Sequence, residues 1–207
     1  MALIFFLLII VIAVVVAVKS KSAHSYDSRN FSDEERQEVL RIGEIREQGI
    51  QYFNADDFHS AINEFDKVTK YIPDHYVAYF YKATAKFMLD DYEGALNDYD
   101  KATGITNDPW MVYEGRANTK LRLSYARGIP SLRDDALADF NYAISLINEA
   151  VKKDSGNGDL YLKRSNIKRD IFDEEGADED ILKAAKLGCS EAIDYLNKRE
   201  KLRSRND

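Results

Sequence analysis

Small and apolar residues recur along the chain with a period of thirty-four residues. The first copy is Gly49, Ala61, Phe65 and Val68, and the second copy is Ala83, Ala95, Tyr99 and Ala102. A small residue in one helix, followed twelve residues later by a small and then an aromatic residue, predicts a hairpin of two closely packed helices. One such hairpin cannot bury its apolar face alone, so the pattern predicts a stack of hairpins.

Two further copies of the pattern are stretched. The third copy runs through Gly115, Ala117, Leu121, Ala136, Phe140 and Ala143, and the fourth runs through Tyr161, Ser165, Ala177, Ile181 and Ala184. A short tag supports the register, because an acidic residue precedes the aromatic or apolar position in Glu64-Phe65, Asp98-Tyr99, Asp139-Phe140 and Asp180-Ile181. Gly115 and Ala136 are twenty-one residues apart rather than twelve, which predicts that nine residues lengthen the third hairpin.

These positions resemble the tetratricopeptide-repeat (TPR) family, whose pattern runs aromatic, Leu-Gly, Tyr, then Ala, Phe, Ala and Pro. The first repeat matches it through Ile45, Gln48, Gly49, Tyr52, Ala61, Phe65, Val68 and Pro73, and Ile45 stands where Trp is usual. In the second repeat, Lys86 stands where the family has an aromatic residue. The resemblance covers residues 33–188 and implies an all-α solenoid of about four TPR hairpins with a C-terminal capping helix.

Helix start and stop signals divide the chain further. Ser32 with Glu35 forms a capping box, so the first helix is expected to begin at Asp33 and to run to about Phe53. Gly128-Ile129-Pro130 is expected to break the third hairpin. The expected domain spans 32–203, with repeats at about 42–75, 76–108, 109–153 and 158–188 and a capping helix at 190–203.

Residues Ala2 to Val18 are seventeen consecutive apolar residues without a charge. As a helix they would cover ~25 Å, and Lys19 and Lys21 could reach the interface, so residues 1–18 predict one transmembrane helix. Residues 19–31 predict a polar tether. Lysines follow the apolar run and none precedes it, so the repeats of this single-pass protein are expected in the cytoplasm. The alternative is a cleaved signal, processed near Val15-Val16-Ala17, and an exported protein.

Composition narrows the possible partners. The net charge is -7 and the pI is near 5.1, which argues against nucleic-acid binding because contacts to a phosphate backbone require clustered Lys and Arg. The one basic cluster is 198–205 on the C-terminal tail, which Glu200 interrupts, and it is interpreted as a solvated helix end.

The sequence offers little support for catalysis or for a cofactor. His24, His59 and His75 have no spacing that would bring two metal ligands together, and Cys189 has no second cysteine for an intrachain disulfide. The acidic run 173–180 lacks the alternating ligands of a calcium loop. We therefore expect no metal, no cofactor and no enzymatic activity.

The family resemblance implies a groove lined by the first helix of each repeat, in which a protein segment lies. Carried over by position, the groove candidates are Arg46, Phe53, Phe80, Thr84, Phe87, Val112, Arg116, Asn166 and Arg169. An apolar peptide with an acidic group would suit them, with Arg46 and Arg116 on its carboxylate. The chaperone-binding TPR subgroup is disfavoured, because Ile50 and Thr84 stand where its carboxylate clamp has asparagine.

The leading hypothesis is a membrane-anchored TPR adaptor, without catalysis of its own, that binds a protein or peptide partner in its groove. The alternative is a structural or assembly subunit of a membrane complex. That subunit would use its convex face or the long third hairpin, Leu121 to Ala138.

Overall fold

The computed structural model describes residues 32–105 and 109–203, apart from the side chains of Glu35 and Arg203. These two ranges contain nine α-helices and no strand, which confirms the all-helical prediction for this part of the chain. In chain order the helices are α1 Asp33–Asn54, α2 Phe58–Tyr71, α3 Tyr76–Met88, α4 Tyr92–Ile105, α5 Trp110–Arg127, α6 Ser131–Lys153, α7 Gly158–Asp170, α8 Glu174–Lys186 and α9 Ser190–Arg203.

The helices form two compact units that meet in sequence between residues 107 and 108. In the described part of unit 1, α1 pairs with α2 and α3 pairs with α4, and α2 also packs against α3. In unit 2, α5 pairs with α6 and α7 pairs with α8, while α9 packs on α8. Each unit therefore holds two antiparallel hairpins, numbered one to four along the chain.

A close approach between helices organises the core of unit 1. A Cβ atom at Gly49 would lie only 3.0 Å from Cζ of Phe65, so a glycine lets the ring of Phe65 fill the space between α1 and α2. The Tyr81 ring of α3 stacks on Phe65 with a centroid separation of 5.1 Å. The same buried aromatic ring thus packs hairpin one together and joins it to hairpin two.

Unit 2 contains two apolar clusters. The larger one lies between hairpins three and four and includes the buried residues Tyr113, Ala117, Phe140, Ile147 and Ile167. The second contains Tyr161, Leu162, Ile181, Ala184 and Ala192, which joins α9 to the fourth hairpin. The helix α9 therefore covers the apolar side of α8, as expected of a capping helix.

The three short hairpins share one turn. Asp56, Asp90 and Phe172 occupy equivalent places and have φ angles of 57°, 60° and 63°, in the left-handed region. The next residue in each turn is an aspartate whose side chain accepts a hydrogen bond from a backbone N–H three residues on, as Asp57 does from Ser60. This cap begins the second helix of each hairpin.

The third hairpin is longer than its neighbour in unit 2. Helix α5 has 18 residues and α6 has 23, whereas α7 and α8 have 13 each. Gly128 ends α5 in the left-handed conformation with a φ of 66°, and α6 begins after Pro130. The predicted break at 128–130 is confirmed.

The predicted anchor, Ala2 to Val18, and the tether at 19–31 lie outside the described residues. Within the part of the chain that is described, no helix has the length and apolar character needed to cross a bilayer.

Candidate functional site

An ion cluster ties the two helices of hairpin two together. The Lys86 Nζ of α3 donates to Oδ2 of Asp98 on α4 at 2.6 Å, and the Lys82 Nζ lies 3.7 Å from Oδ1 of the same carboxylate. Asp98 is almost fully buried. Lys82 also contacts Asp66 of α2 at 2.5 Å, so its ammonium group joins hairpins one and two.

The same cluster recurs in hairpin three with an arginine in the first position. The Arg116 guanidinium binds Asp139 of α6 in a bidentate manner, with Nε–Oδ2 at 2.8 Å and Nη2–Oδ1 at 2.6 Å. The Lys120 Nζ donates to Oδ2 of Asp139 at 2.7 Å. Two parallel hydrogen bonds to a buried carboxylate fix the geometry of the pair.

Hairpin four repeats the arrangement once more. Arg164 of α7 binds both oxygens of Asp180 on α8, and the Lys168 Nζ lies 2.9 Å from Oδ2. The Nη1 atom of Arg164 also donates to Oδ1 of Asn148 on α6 at 2.6 Å, which links hairpin four to hairpin three. The hydrogen bond to Asp180 raises the pKa of the Arg164 guanidinium above its usual value.

Each cluster also includes a tyrosine three residues before the first cation. Lys82 lies 5.5 Å from the Tyr79 ring centroid, Arg116 lies 5.4 Å from that of Tyr113, and Arg164 lies 5.2 Å from that of Tyr161. Cation–π attraction thus adds to the ion pairs. The sequence signal is Tyr-x-x-Lys/Arg-Ala/Ser-x-x-Lys, followed in the next helix by the Asp that precedes the aromatic or apolar position.

Hairpin one lacks this cluster. Gln48 and Tyr52 stand at the cation positions, and Glu64 stands at the position of the aspartate. Glu64 instead pairs with Lys67 on its own helix, with Nζ–Oε1 at 2.6 Å. The acidic tag of the sequence marks the three buried aspartates, but the cations that contact them were not predicted.

The clusters correct the register of the third repeat. Arg116 contacts Asp139 as Lys82 contacts Asp98, so Ala117, and not Gly115, is the equivalent of Ala83. The insertion before Ala136 is then seven residues rather than nine, which is about one helical turn for each of the two helices. A whole turn preserves the faces that pack, because side chains return to the same side of the helix.

This register overturns the expected groove roles of Val112 and Arg116. Val112 is fully buried, so a partner cannot contact it without unfolding the helix around it. Both nitrogens of Arg116 that face Asp139 are engaged in that bidentate contact, which makes the arginine part of the fold rather than a receptor for a partner's carboxylate. The residues equivalent to Phe80 and Thr84 are Glu114 and Asn118.

The groove candidates in unit 1 are half-buried, and two of them, Phe80 and Thr84, lie next to each other. Phe80 packs edge-to-face on Tyr81, and the Thr84 hydroxyl donates to the backbone oxygen of Phe80 at 2.9 Å, one turn away. The Thr84 hydroxyl also lies within hydrogen-bond distance of the Tyr99 hydroxyl. These two candidates share one face of α3.

The other three candidates in unit 1 have local partners. Phe53 contacts Phe58 at the turn of hairpin one with a centroid separation of 5.5 Å, and Phe87 contacts Tyr92 at the turn of hairpin two at the same separation. Arg46 pairs with Glu47 at 2.6 Å and is partly exposed. Phe53 and Phe87 therefore pack against the starts of the second helices.

In unit 2, Asn166 is exposed on α7. The Arg169 guanidinium lies 4.9 Å from the ring centroid of Tyr195 on α9. Arg169 therefore helps to hold α9 against the fourth hairpin, and Asn166 is the candidate in this unit that a partner can reach most directly.

Glu114 and Asp170 form an acidic pair in unit 2 that was not predicted from the sequence. The pKa of Glu114 is raised from 4.5 to about 7, first by burial and then by repulsion from Asp170, while Lys163 acts in the opposite direction. Burial also raises the pKa of Asp170. Glu114 was not predicted as a groove residue, because the expected register made Val112 the equivalent of Phe80 in the third repeat.

The described residues provide no set of three His, Cys, Asp or Glu side chains placed to hold a metal ion. The His75 Nδ1 accepts a hydrogen bond from the Ala78 N–H at the start of α3, and burial lowers the pKa of its imidazole. His75 is thus a helix cap. Cys189 is buried.

The sequence matches no family model. No curated protein matches it either. Among solved structures, the chain is similar to TTC0263, a thermophilic TPR protein of Thermus thermophilus, with 16% identity, a TM-score of 0.54 and coverage of 71% of this chain and 74% of that one. The TPR2B domain of yeast Sti1, solved as a pHsp70 complex, has 18% identity and a TM-score of 0.49, over 71% and 98% of the two chains. The likeness to the Thermus protein identifies the fold as that of a TPR protein.

Proposed function

We propose that this chain is a membrane-anchored, non-catalytic adaptor that binds a protein partner on the first helices of its hairpins. The observation that carries the proposal is that these helices have two kinds of position, one that packs the hairpin and one that stays accessible. One side of α3, α5 and α7 holds the ion clusters that lock each hairpin, while neighbouring positions on the same helices leave side chains accessible.

The accessible positions define a binding surface in each unit. The unit 1 face consists of Arg46, Phe53, Phe80, Thr84 and Phe87, and the unit 2 face consists of Glu114, Asn118, Asn166 and Arg169. Each position is at least partly exposed. Side chains three, four or seven residues apart lie on one side of a helix, which supports treating the members on each single helix as one face.

The two faces have different chemistry. The unit 1 face is mostly apolar, and aromatic side chains such as Phe80 are effective anchors for apolar residues of a partner. The unit 2 face carries the amides of Asn118 and Asn166 and the carboxyl group of Glu114, whose pKa is raised to about 7, first by burial and then by repulsion from Asp170. We expect a partner segment with apolar residues and an acidic group near Arg46 for the first face, and a polar or basic group for the second. Arg116 is left out of the surface, because its guanidinium binds Asp139.

Membrane attachment is part of the proposal and rests on the sequence of Ala2 to Val18. An uncharged apolar run followed by Lys19 and Lys21 favours one span with the repeats in the cytoplasm. The adaptor would then hold its partner near the bilayer.

Site-specific photo-crosslinking tests where the partner binds. A photoreactive residue is placed at Asn166, or at Asn141 as a matched control, because both are exposed asparagines, one on the first helix of a hairpin and one on a second helix. Thr84 and Asn97 provide the corresponding pair in unit 1. The full chain is irradiated in native membranes, and we expect crosslinks to one partner from Asn166 and Thr84.

Crosslinks obtained only from Asn141 and Asn97 would contradict the proposal, because they would move the contact to the second helices. An Arg116→Glu variant is unsuitable here, because it would place a second negative charge against Asp139 and disturb the hairpin.

A structural subunit of a membrane complex is the second candidate function. The long third hairpin favours it, because seven extra residues lengthen α5 and α6 on the turn side of the buried pair Ala117 and Ala136. Deletion of residues 125–132 would then disrupt the assembly and leave the crosslinks from Asn166 unchanged.

A further inference from the structure

The end of the third hairpin carries the opposite charge from the ends of the other hairpins. Asp56 and Asp57, Asp90 and Asp91, and residues 173–175 make the short turns acidic. Between Glu114 and Asp134, by contrast, the chain has no acidic residue and carries five cations, namely Arg116, Lys120, Arg122, Arg127 and Arg133. The basic segment coincides with the lengthened hairpin.

Arg116 and Lys120 both bind Asp139 and are partly buried. The side chains of Arg122, Arg127 and Arg133 are exposed at or near the end of the hairpin. The next acidic residues, Asp134 and Asp135, follow within the first turns of α6. Residues 122–133, which we call the basic tip, therefore carry three positive charges and no negative charge in a chain of net charge -7.

The basic tip also exposes two large apolar side chains. Tyr125 is 67% exposed and Ile129 is 42% exposed. The Arg133 guanidinium lies 4.8 Å from the Tyr125 ring centroid, so charge and ring are held side by side. Membrane-binding proteins commonly combine tyrosine, arginine and aliphatic residues where they contact the headgroup region of a bilayer.

The turn holds these side chains in a fixed arrangement. The Ser124 hydroxyl is buried and donates to the Ile129 carbonyl at 2.8 Å, while the Ile129 N–H donates to the Ser124 carbonyl at 3.1 Å. Gly128 supplies the left-handed residue between them. A preformed turn can bind a surface without first paying the entropy of ordering a loop.

The insertion lengthens the turn end of the hairpin. The seven extra residues lie between Ala117 and Ala136, on the turn side of that buried pair. About one added turn per helix extends this end by ~5 Å. The extension thus separates the basic tip from the ion cluster at Asp139.

We propose that the basic tip contacts an anionic membrane surface. Arg122, Arg127 and Arg133 bind lipid phosphates, and Tyr125 and Ile129 enter the interface between headgroups and acyl chains. A convex end with its aromatic and aliphatic groups outward fits a deformable bilayer surface, and three arginines provide the attraction to anionic lipid. This inference goes beyond the adaptor function and does not require a partner on either face.

Spin-label accessibility tests the contact in the full chain. Cys189 is replaced by serine, and a nitroxide is attached to Ala126→Cys on the basic tip or to Glu175→Cys on the acidic turn of hairpin four. The protein is reconstituted with vesicles of phosphatidylcholine alone or of equal parts phosphatidylcholine and phosphatidylglycerol. We expect the label at residue 126 to be shielded from an aqueous quencher only in the anionic vesicles, and the label at residue 175 to stay in water in both.

The triple variant Arg122→Gln, Arg127→Gln, Arg133→Gln should lower the tip–membrane equilibrium constant on the order of a hundredfold, since each arginine near an anionic surface contributes about a factor of five. High salt should have the same effect. The variant should still float with the vesicles through Ala2 to Val18, which separates the tip from the anchor.

Equal exposure of the label at residue 126 in both kinds of vesicle would overturn the proposal. So would shielding that survives the triple variant and high salt. If residue 126 instead crosslinks to an acidic protein in native membranes and stays in water on anionic vesicles, the basic tip is a protein contact, and the structural-subunit function gains support. A folded triple variant, checked by circular dichroism, is required for each comparison.

Discussion

Glu114 shows how one residue can oppose the stability of the fold. It lies partly buried on α5, where burial and the nearby Asp170 favour the protonated form. The folded chain therefore binds this proton more tightly than the unfolded chain does. The sign follows from linkage: the contribution of Glu114 to stability is fully present below pH ~4.5 and is lost as the pH rises through about 7.

We expect Glu114→Gln to raise the free energy of unfolding by roughly 1–3 kcal/mol near pH 8 and by little near pH 4, because glutamine cannot ionise. Urea unfolding of the two proteins at both pH values measures the difference. Glu179→Gln is the control, because Glu179 is exposed on α8, and this variant should change the free energy of unfolding little at either pH. A gain from Glu114→Gln that is equal at both pH values would contradict the assignment.

Phe172 combines two unfavourable features at one position. Its φ is 63°, and its side chain is 88% exposed, whereas aspartate occupies the same turn position in hairpins one and two. Asparagine tolerates the left-handed conformation better than phenylalanine. We expect Phe172→Asn to raise the free energy of unfolding by about 0.5–1 kcal/mol, measured by urea denaturation.

Phe172→Ala separates the two features, because it removes the exposed ring and keeps a side chain that is strained at positive φ. If the free energy of unfolding rises with Phe172→Asn and not with Phe172→Ala, the backbone conformation causes the effect. If it rises equally with both variants, removal of the exposed ring causes it.

At the scale of the helix pair, the ion clusters decide how the second helix of a hairpin lies against the first. Asp98, Asp139 and Asp180 each neutralise cations from the facing helix. Their side chains are only 2%, 8% and 5% exposed. Such a cluster costs desolvation energy when it forms, and its removal in part leaves uncompensated charge. We therefore expect the clusters to specify the pairing of helices more than they add net stability.

We expect Asp139→Asn to lower the free energy of unfolding by about 3 kcal/mol or more, because Arg116 and Lys120 would remain partly buried without a counter-charge. Glu64→Gln is the matched control, since it changes the equivalent position in hairpin one. Glu64 pairs with the exposed Lys67, so we expect a loss below ~1 kcal/mol. Losses of similar size from the two variants would refute the special role of the clusters.

At the scale of the whole molecule, the adaptor proposal depends on whether the apolar run Ala2 to Val18 stays as a membrane span or is cleaved as a signal. We expect the intact mass of the protein purified from membranes to equal that of the full 23.7 kDa chain. An arginine in place of Ile10 should prevent stable insertion, because arginine at the centre of a span costs about 2.5–3.5 kcal/mol. A mature protein that begins near Val18 would instead support the cleaved signal and export.

The sequence by itself determined the elements. Helix α1 begins at Asp33 and the third hairpin breaks at 128–130, as expected, because caps, glycine and proline act through the local backbone. The hairpin pattern could also be predicted, because small residues such as Gly49 face an aromatic residue a short distance along the chain. Local signals of this kind require no knowledge of the tertiary structure.

Only the tertiary structure decided the register of the third repeat and the chemistry of the faces. Gly115 and Ala117 are both small, and the contact between Arg116 and Asp139, twenty-three residues apart, distinguishes them. An arginine on a predicted helix face has the same sequence signal whether it binds a partner or a buried aspartate. The answer depends on which side chains the packed helices bring within hydrogen-bond distance, and that is a property of the fold rather than of any single segment.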